Sequence, residues 1–138
     1  MTRLVLVLTL LIAGCAAPGH LNTPSGRPEL TVHAPMDLAQ KACLHWFLAN
    51  GFMVQNPGNT KEIIELSGNQ FFHGGATNVW ITYSFYPVNS TTTTIYAAKT
   101  IWYRFGGDTP QTSQEDYKEL QNDLQAIAAD IPNEGTAP

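Results

Sequence analysis

Two hydrophobic periods alternate along this chain. Leu30 and Val32 alternate with polar neighbours between Glu29 and His33, which predicts a short first strand. From Asp37 to Asn50 the period changes. Ala39, Ala42, Cys43, Trp46 and Phe47 recur at three- and four-residue spacing, which places them on one side of a helix. Pro35 suits the first turn, where a missing N–H does no harm. Asn50-Gly51 suits the end, with Gly51 in a left-handed cap and Phe52 folded back on the last turn.

Strand character returns after Gly51. Phe52–Gln55 and Thr60–Ser67 predict a hairpin about a Pro57-Gly58 turn, with Ile63 and Ile64 in its second arm. "GNQFFHGGATN", residues 68–78, predicts an irregular glycine-rich loop. The strongest alternation runs from Asn78 to Pro87. Val79, Ile81, Tyr83 and Phe85 share one face; Trp80, Thr82, Ser84 and Tyr86 share the other. Thr91–Phe105 predicts its long partner strand. Lys99 interrupts the apolar face of Ile95, Ala97, Ile101 and Tyr103, so a bulge near Ala98 or Lys99 is expected. Thr112-Ser113-Gln114-Glu115 has capping-box spacing and starts a helix with the stripe Tyr117, Leu120, Leu124, Ile127, Ala128 and Ile131, ended by Pro132.

The expected fold class is therefore α+β, a single domain over residues 29–132. An antiparallel β-sheet would be packed on one face by two amphipathic helices, in β-α-β-β-β-β-α order. Residues 133–138 are expected to be a disordered tail.

The first 28 residues follow other rules. The apolar run Leu4–Ile12 holds eight strongly apolar residues and one Thr. As a helix it rises about 14 Å, too short for a hydrocarbon core of about 30 Å. Arg3 precedes it, and the small residues Ala13 and Gly14 follow, the layout of a secretory signal peptide. Ile12-Ala13-Gly14-Cys15 resembles the lipobox of bacterial lipoproteins. That resemblance implies cleavage between Gly14 and Cys15, a diacylglyceryl group on the Cys15 thiol, and often an acylated amino group. Residues 15–28, the anchored Cys15 and then "AAPGHLNTPSGRP", carry three prolines and two glycines and are expected to form a flexible tether.

The predicted layout is also similar to the small helix-grip domains of envelope lipoproteins. It resembles an uncharacterised group of bacterial lipoproteins with Ala-Cys, a hydrophobic helix, Gly-aromatic and two β-hairpins. The matching residues here are Ala42-Cys43, Gly51-Phe52 and the Thr91–Tyr96 strand start.

Charge narrows the partners. With residues 1–14 removed, 124 residues remain, with six Lys and Arg against eleven Asp and Glu. No basic cluster exists, so nucleic acid and anionic head groups are not expected partners. The acids from Asp108 to Glu134 face only Lys118 as a cation after residue 104, which reads as a solvated helix face. Cys43, alone if Cys15 is lipidated, is expected to fill core space.

No residue pattern predicts catalysis, a cofactor or a metal. Cys43 and His45 on one helix diverge by about 200° and cannot share an ion. His20, His33 and His73 are scattered. Ser67-Gly68 lacks the nucleophile-elbow pattern, Glu62 and Glu65 face opposite ways on a strand, and no Lys-Ser/Thr follows Gly74-Gly75. Phe71, Phe72, Trp80 and Tyr86 stand out instead. Phe71 and Phe72 are adjacent in the predicted loop and cannot both point inward, so one exposed there would mark a contact site; if helices cover one sheet face, Trp80 and Tyr86 lie at the other and would make it an interface.

The expected function is a non-enzymatic, lipid-anchored structural or protein-interaction module of the cell envelope. Its partners would be the membrane, through the anchor, and another envelope protein. Ala16 after Cys15 fits sorting to the outer membrane of a Gram-negative host, facing the periplasm. The alternative is a small apolar-ligand or lipid-binding domain with a pocket between helix and sheet, lined by Cys43, Trp46 and Phe47.

Overall fold

The computed structural model describes residues 17–55, 65–72 and 77–132. Its elements run β1 (Glu29–Val32), α1 (Met36–Ala49), β2 (Met53–Gln55), β3 (Glu65–Phe72), β4 (Thr77–Asn89), β5 (Thr92–Tyr103), β6 (Gly107–Gln111) and α2 (Gln114–Ala129). All strand pairs are antiparallel, in the order β1-β5-β4-β3-β2. The outer side of β5 carries two partners in turn, β1 along residues 93–96 and β6 along residues 99–103.

Both helices lie on one face of this α+β sheet. α1 buries Ala39, Ala42, Cys43 and Phe47, and α2 buries Tyr117, Leu120, Leu124 and Ile127. They meet Leu66 of β3, Ile81, Tyr83 and Phe85 of β4, and Ile95 and Ala97 of β5. Each fully buried Leu, Ile or Phe contributes about 1.5–3 kcal/mol. The end of α1 closes as its sequence implies. Gly51 takes φ 75°, and the Phe52 N–H donates to the Phe47 carbonyl at 2.9 Å.

Several local expectations need correction. Residues 68–72 continue β3 instead of forming a loop, because Gly68 and Asn69 pair with Ile81 and Trp80 in regular register. Residues 107–111 add a strand that the sequence pattern concealed. The strand is exposed throughout most of its length, so it carries no apolar alternation. No bulge falls at Ala98 or Lys99, which pair regularly with Thr82 and Ile81; the register shift lies between Pro87 and Asn89. Lys99 stays on the helix face because α2 supplies its counter-charges. The N-cap of α2 is Ser113, one residue past the expected Thr112. The Ser113 hydroxyl accepts from the Asp116 N–H at 3.1 Å and donates to the Asp116 carboxylate at 2.5 Å. The expected Pro57-Gly58 turn and the Ile63-Ile64 arm lie outside the described residues, as does the tail 133–138.

The supposed tether is held against the domain over residues 19–28. The Gly19 N–H donates to the Thr112 carbonyl at 2.6 Å, and the His20 N–H to Gln114 Oε1 at 2.8 Å. The Leu21 N–H closes a turn onto the Gly26 carbonyl, and the Ala97 N–H donates to the Pro28 carbonyl. Gln121 clamps Glu29, accepting from its N–H at 3.0 Å and donating to its carbonyl at 2.9 Å. Backbone groups make most of these hydrogen bonds and Pro28 is fully buried with them; an isolated proline has no period, so hydrophobic patterning cannot report the docking.

Candidate functional site

With both helices on one side, no helix among the described residues covers the other side of the sheet. The register fixes what stands there. Phe71, Asn78, Trp102 and Asp108 form one row across β3, β4, β5 and β6. Asn69, Trp80, Thr100 and Pro110 form the next. Strands lie about 4.8 Å apart, and diagonal neighbours such as Trp80 and Trp102 about 7–8 Å. Phe71, Asn78, Trp80, Thr100, Trp102 and Asp108 of these rows line an open groove of about 530 Å³. Two asparagines of these rows are unusual, of which Asn78 lines the groove. Asn69 and Asn78 are only 3% and 6% exposed, yet their Oδ1 atoms are buried without a hydrogen-bond partner among the described residues.

The far end of the same face is built differently. Tyr86 and Tyr96 meet edge-to-face, with ring centroids 5.3 Å apart at 90°. Tyr86 and Val88 project into solvent. They border a second groove of about 790 Å³ that also reaches Arg27 and Pro28 of the docked N-terminal segment.

Three of the four aromatics singled out from sequence are described here. Trp80 and Tyr86 share the open face of β4, about 20 Å apart along the strand, and Phe71 joins Trp80 through β3. Phe71 and Tyr86 are each about half exposed. For Phe72 only the backbone, in β3, is described; Cys15, His73 and Gly74-Gly75 lie outside the described residues. Trp102, Tyr96 and Asn78 were missed. The signal for Trp102 and Tyr96 was present, since both fall on the even-numbered face of β5 opposite the Ile95 face. Phe105, 96% exposed with Arg104 over its ring at 5.8 Å, sits in the β5–β6 turn and obeys no period.

The space that an apolar ligand between α1 and the sheet would need is filled. Phe47 lies 5.0 Å from Tyr83 and 5.4 Å from Phe52, ring centre to ring centre, and Trp46 closes edge-on against Tyr83 at 6.0 Å. Cys43 is fully buried beside them, and burial pushes its thiol pKa up.

Charge collects on the helix side. Lys99 Nζ lies 2.8 Å from Glu119 and 3.5 Å from Asp116. Burial works against its ammonium, but those two carboxylates outweigh it and hold the pKa above the usual value. One turn on, burial and then the charge of Glu119 push Asp123 up to about 6. His45 pairs with Asp130 at 3.8 Å in full solvent view. Among the described residues no group of three His, Cys, Asp or Glu side chains could hold a metal ion.

The fold places the chain in a broad class, an antiparallel sheet with two helices on one face. No family model matches the chain, and no curated protein matches its sequence. A solved structure is similar: the adenylate sensor from AMP-activated protein kinase in complex with 5-aminoimidazole-4-carboxamide 1-beta-D-ribofuranotide. The likeness covers 73% of this chain and 94% of that one, with a TM-score of 0.51 and 10% identity. At that identity it shows a shared fold alone.

Proposed function

We propose that this chain is a lipid-anchored lipoprotein of the bacterial cell envelope, acting as a protein-interaction module through the open face of its sheet. Residues 1–14 would be removed and Cys15 acylated. With two or three acyl chains the attachment is stable, whereas one chain anchors only marginally. In a Gram-negative host Ala16 directs such a protein to the outer membrane, facing the periplasm.

The observation that carries the interaction reading is the Tyr86–Tyr96 pair with Val88 beside it, an apolar, aromatic patch on an uncovered sheet face. Tyrosine-rich patches of this kind supply rigid contact area at low entropic cost. The patch also borders the segment that leads back to Cys15. Only residues 16–18 lie between Cys15 and docked Gly19, a reach of at most about 14 Å. A partner bound there would sit close to the bilayer surface.

Two measurements on protein from its natural host test this. Mass spectrometry should find a mature chain beginning at an acylated Cys15, and Cys15→Ser should leave the chain unprocessed. A photo-crosslinking residue at Val88 should capture one defined envelope protein, while the same residue at Gln125, on the outer side of α2, should not. A bare Cys15, or equal capture from both positions, removes the proposal.

A further inference from the structure

We propose that the groove between Trp80 and Trp102 binds a neutral saccharide. This site goes beyond the protein contact inferred at Tyr86, since it occupies the opposite end of β4. Phe71, Trp80 and Trp102 bring three aromatic rings to its lining. The face of an indole ring is electron-rich, and the C–H groups on one side of a pyranose ring carry partial positive charge, so the two stack. Diagonal spacing of about 7–8 Å between the tryptophans lets adjoining sugar rings meet successive indoles.

The polar groups narrow the ligand further. Two acceptors belong to the lining, Oδ1 of Asn78, unpartnered among the described residues, and the exposed carboxylate of Asp108. A buried acceptor left unpaired is destabilising, and a donor from the ligand would relieve it. Saccharide hydroxyls are donors at every ring position. A proline-rich peptide would also find aromatic walls here, but it has few N–H groups to give. An anionic ligand is disfavoured because, among the described residues, the lining holds a carboxylate and no cation. A quaternary ammonium needs rings closed around it on several sides, and this groove is open.

The test is titration of the full chain with cellotetraose and with chitotetraose, following tryptophan emission. Choline and a proline-rich peptide serve as rival ligands. The expected result is a saccharide-induced emission shift with a Kd between about 10 μM and 1 mM. Trp102→Ala should weaken binding about tenfold or more. Should that variant fail to fold, Trp80→Phe and the solvent-exposed Asp108→Asn decide, each weakening binding at least about threefold. Tyr86→Ala should leave the titration unchanged while abolishing crosslinking from Val88, which separates this site from the protein contact. The proposal is overturned if neither saccharide shifts the emission at about 10 mM, or if choline or the peptide binds in their place. Binding that survives Trp102→Ala, or both substitute variants, overturns it equally.

Discussion

Phe47 and Gly68 are packed so closely that a β-carbon on Gly68 would stand 2.6 Å from Phe47 Cδ1. The ring cannot retreat, because Trp46, Phe52 and Tyr83 surround it. Gly68 is thus the place where α1 seats against β3. Gly68→Ala should destabilise the domain by about 1–3 kcal/mol through overpacking. Urea unfolding would show this as a lower midpoint with an unchanged slope. A midpoint within error of the parent would mean that α1 sits farther from the sheet.

Tyr83 makes the opposite prediction. Its ring is fully buried against Phe47 and Trp46, but its hydroxyl has no hydrogen-bond partner among the described residues. Burial, with help from the Asp123 charge, raises its pKa and keeps the phenol neutral. Tyr83→Phe keeps the ring and removes a desolvated hydroxyl. It should be stabilising by about 1 kcal/mol. A loss of stability on thermal unfolding would reveal a hydroxyl that is satisfied after all.

Much of this architecture was legible in the hydrophobic pattern, and the failures have identifiable causes. The two helix stripes and the Val79–Phe85 face pack on the core as their periods imply, because in each case one side of the element meets it. Residues 68–72 read as a loop because glycine and asparagine are poor strand formers, yet β4 supplies their ladder and overrides that preference. Lys99 suggested a bulge only because its partners, Asp116 and Glu119, follow it by seventeen and twenty residues, in a helix. Half of the candidate surface was equally visible. Trp80 and Tyr86 follow from alternation within one strand, whereas the Asn69–Trp80 and Asn78–Trp102 juxtapositions depend on register between strands, which a single sequence does not state.

The helix-side charges give a pH dependence with a definite sign. Asp123 has a folded pKa of about 6 against a reference value of 3.8, owing to burial and then to Glu119. A carboxyl raised in the folded state binds its proton more tightly there than in the unfolded chain. Its stabilising effect is complete below about pH 4 and is lost as pH rises through about 6. Asp123 is partly solvated, so the loss should be on the order of 1 kcal/mol. Asp123→Asn should remove that component. Thermal midpoints of parent and variant should therefore diverge between about pH 4 and pH 7, with the variant the more stable at the upper end. Parallel curves would show that Asp123 titrates normally.

The docked N-terminal segment is the feature that most changes how an anchored domain would sit, and Gly26 controls it. Gly26 takes φ 72°, which a side chain resists, and a β-carbon there would lie 2.7 Å from the His20 imidazole. Both problems are relieved if residues 19–27 leave the domain. Gly26→Ala should therefore cost about 1–2 kcal/mol locally and leave the sheet and helices intact. Hydrogen exchange reports this directly. The amides of Gly19, His20 and Leu21, all donors in the docked state, should lose protection, while those of β4 and β5 keep theirs. In membranes carrying the acylated protein, release would lengthen the free span after Cys15 from three residues to about twelve, raising its coil dimension to about 20 Å. Energy transfer from the tryptophans to a dye in the bilayer should then fall in the variant. Unchanged exchange at Gly19–Leu21 would show that these bonds do not hold the segment.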